Sequence, residues 1–247
     1  MKKISWIMLL GAFWVILIVR AMPAQWGIWL ANTSAQMEGI TGTIWSGQAA
    51  SVVLPYDGGV YALGELSWKL KPFSVFTLNP CANITTKLAS QTIEGIACSS
   101  IAGNLTLKDL EINLPAAAAE IWAPVSVQGD VFVQIESLTT SGNNIKTLSG
   151  KGSWTGARYH NSQAWMNLGA IAFELSENKN GKIDAKIFDL EGPLKLDLQS
   201  QFDLAGDFDI RGDIELRQNA PQEIAQLLMI VAKETKKGHF KFEWIGG

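Results

Sequence analysis

The stretch Ile183 to Leu216, IDAKIFDLEGPLKLDLQSQFDLAGDFDIRGDIEL, decides the fold class. Ile183, Ala185 and Ile187 alternate with Asp184 and Lys186, and Leu194, Leu196 and Leu198 alternate with Lys195, Asp197 and Gln199. A period of two puts the apolar residues on one face of an extended strand and the polar ones on the other. Turn signals stand at Asn178 to Gly181 and at Glu191-Gly192-Pro193. Further strands are expected around Phe202 and Leu204, Phe208 and Ile210, and Ile214 and Leu216, with turns at Ala205-Gly206 and Arg211-Gly212. The pattern is an antiparallel meander with one apolar face.

Downstream the period changes. Asn219 is a capping residue, Pro221 starts a helix, and Ile224, Leu227, Leu228 and Val231 recur at helical spacing. Lys233, Lys236, Lys237 and then Gly238 are expected to close it. Phe240, Phe242 and Trp244, alternating with His239, Lys241 and Glu243, predict a last strand. Upstream, Gly39, Gly42, Gly47, Gly58, Gly59 and Gly64 divide the chain into hairpin-sized pieces, and Pro115 to Trp122, PAAAAEIW, predicts a short helix stopped by Pro124.

The N-terminus differs in kind. Ile4 to Val19 is an unbroken apolar run between Lys2-Lys3 and Arg20, and Ile4 to Met22 is long enough to cross a bilayer if Arg20 snorkels. The positive-inside rule keeps the N-terminus cytoplasmic and sends the rest across, with Trp6 at one interface and Trp26 and Trp29 at the other. A cleaved secretory signal is the competing reading; Ala21-Met22-Pro23-Ala24 is not a small-x-small cleavage site, which favours an uncleaved anchor. The organisation expected is therefore 1–22 cytoplasmic N-terminus and anchor, 23–35 interfacial linker, and 36–247 a β domain outside the cytoplasm.

The 247 residues carry a formal net charge of -3, which removes the electrostatic footprint of a nucleic-acid binder. Two cysteines, Cys81 and Cys98, suit one disulfide in an exported domain, with two buried free thiols as the alternative. If CANITTKL and QTIEGIAC form a hairpin about Ala89-Ser90, Cys81 falls opposite Cys98, Ile84 opposite Gly95 and Thr86 opposite Ile93.

The search for chemistry is empty: no catalytic, cofactor-binding or metal-ligating residue is assigned. His160 and His239 lack zinc-ligand spacing, and Ser46 and Ser153 lack the nucleophile-elbow glycines. Gly150-Lys151-Gly152-Ser153 does not match a phosphate loop. Asp203, Asp207, Asp209 and Asp213 form a candidate ion cluster, but Arg211 on the same face favours a solvated strand face. Asn32-Thr33-Ser34, Asn83-Ile84-Thr85 and Asn104-Leu105-Thr106 match glycosylation acceptors, relevant only in a eukaryotic secretory route. Of the 10 tryptophans, Trp45, Trp68, Trp154 and Trp165 fall in predicted strands, where they either fill a core or line an apolar groove. Trp45-Ser46-Gly47 and Trp154-Thr155-Gly156 hint at a duplication that chance explains equally well.

Four segments, GTIWSGQA (Gly42 to Ala49), LGELSWKLKPFSVF (Leu63 to Phe76), LSGKGSWTGA (Leu148 to Ala157) and GDIELRQNAPQEIAQLL (Gly212 to Leu228), together resemble the type II secretion system protein N family. The motif residues that carry the resemblance are Trp45, Gly47, Trp68, Pro72, Trp154 and Gly156. It implies a mainly β fold, an elongated, curved antiparallel sheet (meander or half-barrel) with two short helices after one N-terminal transmembrane helix. It further implies a periplasmic domain on a bacterial inner-membrane anchor. The function implied is that of a non-enzymatic accessory component contacting other type II secretion components, with no cofactor. The segment Leu66 to Phe76, with Trp68, Leu70, Pro72 and Phe73, is also similar to the AsmA-like group, which implies a lipid-binding or lipid-transfer groove as the alternative. An envelope hydrolase is a third, weaker reading.

Overall fold

A computed structural model describes residues 2–31, 35–56, 59–121, 126–142, 144–161, 164–178, 180–203, 207–218 and 220–246. Asn32-Thr33-Ser34, Gly58, Trp122, Pro124, Leu204, Ala205-Gly206 and Asn219 lie outside these residues, as does the side chain of Trp29. The chain is mainly β, and it divides into two units, Met1–Leu88 and Ala89–Gly247.

The first unit begins with helix α1 (Lys2–Arg20) and helix α2 (Ala24–Ala31), the latter inside the expected linker. Strands β1 (Gln36–Glu38), β2 (Thr41–Gly42), β3 (Ser46–Tyr56), β4 (Gly59–Leu70) and β5 (Cys81–Leu88) follow, with a five-residue helix α3 (Pro72–Phe76) between β4 and β5. Their antiparallel order is β1-β3-β4-β5, with β2 also on β3. Judged over the described residues, no helix is long and apolar enough to cross a membrane. Within the 19-residue α1, the larger apolar side chains that are described, from Trp6 to Val19, are 40–72% exposed.

The second unit contains β6 (Gln91–Ser99), β7 (Asn104–Pro115), β8 (Ser126–Ser141), β9 (Asn144–His160), β10 (Trp165–Glu177), β11 (Ile183–Glu191), β12 (Leu194–Phe202) and β13 (Phe208–Leu216). Helix α4 (Gln222–Val231) and strands β14 (Lys233–Lys236) and β15 (His239–Gly246) complete it. Every strand from β6 to β13 pairs antiparallel with its sequence neighbour, so the meander expected at Ile183 to Leu216 is present and extends back to β6; the order then ends β13-β15-β14.

The alternation read at Ile183 to Leu216 builds the core here. Leu194, Leu196 and Leu198 of β12 share a face with Ile214 of β13 and Phe240 of β15, because Leu196 pairs with Ile214 and Ile214 with Phe240. Helix α4 covers this face through Ile224 and Leu228, one turn apart, and Met166 of β10 completes the cluster. Each such aliphatic or aromatic side chain contributes about 1.5–3 kcal/mol on full burial. On the opposite face Lys195 pairs with Glu215 (3.1 Å), and Arg211 lies 2.8 Å from Asp209 and 3.3 Å from Glu243. Asp203 pairs with Lys182 at 3.3 Å. These acids form a neutralised, solvated surface.

Several expectations are corrected. Arg211-Gly212 is no turn but the middle of β13: Gly212 has φ +156 and opposes Leu198 where a Cβ would collide with the Asp197 carbonyl, so the glycine serves close strand approach. Lys233 to Lys236 does not close the helix, which ends at Val231; it forms β14, paired to β15 across a turn at Gly238 (φ +77). The short helix expected after Pro115 is present as a 3-10 helix, Ala116–Ile121. Pro72 to Phe76 forms a five-residue helix. Trp45 lies in the turn before β3, whereas Trp154 lies within β9, so the two tryptophan-glycine tripeptides are not equivalent.

Candidate functional site at the end of the N-terminal helix

The last turn of a helix leaves carbonyls without partners inside the helix. At the end of α1 a β-turn segment supplies them. Ile44 donates its backbone N–H to the Met22 carbonyl (3.0 Å), and the Trp45 Nε1–H donates to the Val19 carbonyl (2.8 Å). Pro23 forms an isolated bridge with Thr43, and Gly27 of α2 packs on Ile44. The turn is held by its own bonds: the Thr43 N–H donates to the Ser46 carbonyl (2.9 Å), and the Ser46 N–H donates to Thr43 Oγ1 (3.3 Å).

Behind this turn stands Trp68 of β4. It opposes Gly47 directly across the β3–β4 ladder, and its ring fills the volume that a Gly47 side chain would need. Its Nε1–H donates to the Thr43 carbonyl (3.3 Å). From there the chain of bonds continues, with the Leu70 N–H donating to the Trp45 carbonyl (2.8 Å) and the Lys71 N–H to the Cys81 carbonyl (2.7 Å). Pro72 opens α3, as a residue without an amide donor suits a first helical turn. Ser74 Oγ lies 2.5 Å from the Lys71 carbonyl and accepts the Cys81 N–H (2.8 Å), and Thr77 Oγ1 donates to the Ser74 carbonyl. The polar side chains of the loop are thus turned inward, while Phe73 is 85% exposed, Phe76 84% and Leu78 63%.

Four of the six motif residues, Trp45, Gly47, Trp68 and Pro72, therefore meet at one junction. Trp154 and Gly156 belong to the second unit. There the Trp154 Nε1–H donates to the Gln128 carbonyl (3.0 Å), with Gly129 beneath the indole, and Gly156 (φ +57) occupies a register shift between β8 and β9. Trp165 is 43% exposed and packs against His160, ring centroids 4.9 Å apart at a tilt of 56°. None of Trp45, Trp68 and Trp154 is fully buried and the core cluster contains no tryptophan, so the expectation that tryptophans fill the core is corrected: they clamp backbone carbonyls and cover glycines. Cys81 and Cys98 are both disulfide-bonded, as expected, and Ala89 in the turn between β5 and β6 adopts φ +51.

From the sequence, Phe73 stands out only as part of the AsmA-like resemblance and Phe76 and Leu78 have no assigned role, although an i, i+3 aromatic pair after Pro72 was the available signal. The described cavities are polar. One of about 490 Å³ in the second unit is lined by Ser149, Lys151, Glu174, Asp184, Lys186 and Gln199, side chains that share a sheet face. Among the described residues no His, Cys, Asp and Glu group is placed to hold a metal. The junction's chemistry is that of a mechanical joint: indole N–H groups and backbone amides fix a helix end to a hairpin.

Residues 34–243 match the family described as "Type II secretion system (T2SS), protein N". The chain belongs to the type II secretion system protein N family. A relative within that description, "Type II secretion system protein N" of Vibrio cholerae serotype O1 (strain ATCC 39315 / El Tor Inaba N16961), is 25% identical over 151 residues, 57% of each chain. The chain thus spans 57% of the length of the curated relative it matches. No solved structure matches. All six motif residues and the core of this protein N family member fall inside the matched region, while α1 and α2 precede it.

Proposed function

We propose that the chain is a non-enzymatic accessory component of type II protein secretion. It is anchored in the bacterial inner membrane by α1 with its N-terminus cytoplasmic, and its β units work in the periplasm through contacts with other secretion components. The observation that carries this reading is the family match over residues 34–243. Three features support the topology. Lys2 and Lys3 open α1, the run Ile4 to Val19 that follows is apolar, and its described large side chains are exposed, as a lipid-facing helix requires. The end of α1 is bonded to the turn before β3, so a span there is joined directly to the folded domain in this reading. The disulfide suits an oxidising compartment.

The test is where exoproteins accumulate in a deletion strain of the source bacterium, with and without the restored gene. Periplasmic accumulation reversed by complementation is expected. Normal secretion overturns the reading.

A further inference from the structure

The β4–β5 connection projects apolar side chains that nothing in the unit covers. Phe73 and Phe76 lie i, i+3 on α3 and so emerge on one side, with Leu78 just beyond; α3 has no buried residue. The loop is not loose, because Ser74 and Thr77 bind its own backbone. An ordered loop that holds two phenylalanines in water costs solubility unless a surface covers them.

Its position indicates which surface. Lys71 follows Leu70, whose N–H bonds the Trp45 carbonyl, and Trp45 reaches the Val19 carbonyl in the last turn of α1. The base of the loop is therefore one residue from the end of the proposed membrane span. Trp26 of α2, 59% exposed, precedes Gly27, which packs on Ile44 of the same junction. Charge agrees: Arg20, Lys69 and Lys71 are exposed, and no Asp or Glu occurs in residues 1–37 or 66–88.

We propose that residues 71–80 form a membrane-interface wedge. Phe73, Phe76 and Leu78 enter the leaflet in which α1 ends, and Arg20, Lys69 and Lys71 face the phosphates of anionic phospholipids. The apolar tip reaches about 5–10 Å below the headgroups, the depth at which interfacial apolar faces lie. This inference rests on the membrane anchoring proposed above. Its consequence is orientation: a single span leaves a domain free to swivel, and a second contact beside it fixes the first unit on the bilayer.

The full chain is reconstituted in vesicles of phosphatidylethanolamine and phosphatidylglycerol, with photoreactive benzoylphenylalanine in place of Phe73, Phe76, Phe13 of α1, or Val60. Val60 is 61% exposed and ten strand residues away from Leu70, about 33 Å along β4. Mass spectrometry identifies what each probe captures after irradiation. Phospholipid conjugates at Phe73, Phe76 and Phe13 and none at Val60 are expected, and Lys69→Gln with Lys71→Gln lowers the phosphatidylglycerol share. Lipid at Phe13 but only water or another protein chain at Phe73 and Phe76 overturns the wedge and leaves the anchor standing. Absence of lipid at Phe13 overturns the anchor and the wedge with it.

Discussion

Gly47 lacks a side chain because Trp68 occupies the space, and the pair shows how single residues carry this protein. An aromatic ring laid over a glycine on the neighbouring strand protects a backbone that would otherwise be bare. The same device recurs where Phe173 opposes Gly152 and Phe208 opposes Gly246. Gly47→Val is expected to displace Trp68, break its bond to the Thr43 carbonyl and cost about 1–3 kcal/mol, read by near-ultraviolet circular dichroism and urea unfolding. A second residue-scale device titrates. The Leu148 N–H donates to Glu177 Oε2 at 2.6 Å, and this bond, with that from the Glu177 N–H, holds the carboxyl below its ordinary range. A depressed native value contributes stability above the unfolded-state value, and that contribution disappears as pH falls through the native one. Glu177→Gln is therefore expected to lower Tm slightly at pH 7, with the deficit closing in acid. A deficit independent of pH would point to packing instead.

Helix α4 carries the argument at the scale of elements. Its apolar stripe was legible at 3.6-residue spacing, and its role as the lid over β12, β13 and β15 follows from the period-two faces of those strands. Ile224 is 1% exposed. Ile224→Ala is expected to cost about 2–5 kcal/mol, seen as a lower urea midpoint with little change in slope, because the cavity sits between a helix and three strands that cannot all collapse. The end of the helix was not legible. Residues 233–236 read as a basic helix tail, yet they pair with Lys241, Phe240 and His239. Ladder hydrogen bonds offered by β15 outcompete a frayed last turn, and that competition depends on a strand later in the chain.

At the scale of the whole molecule, specific covalent and hydrogen-bonded constraints join residues far apart in the chain. The disulfide ties Cys81 to Cys98, the latter only 3% exposed. Replacing both by serine is expected to lower stability by about 3 kcal/mol in the chain-entropy model for a loop of this size. Thermal unfolding of oxidised wild type beside the double variant checks it, and equal midpoints would mean the bridge is stabilised only by its surroundings. Another long-range constraint is the joint at the end of α1, where indole donors reach carbonyls 26 and 25 residues away.

The sequence alone determined the β character, the meander from β11 to β13, the face that becomes core, the stripe of α4, and the pairing of the only two cysteines. Those features rest on local periodicity and on counting, and both survive without knowing what lies alongside. Only the tertiary structure decided that Gly212 is a point of strand contact rather than a turn, that Trp45, Trp68 and Trp154 are clamps rather than core, and that Trp45, Gly47, Trp68 and Pro72 assemble around the end of α1. Each of these depends on a backbone group supplied from far along the chain, and a hydrogen bond to a distant carbonyl leaves no period in the sequence that contains its donor.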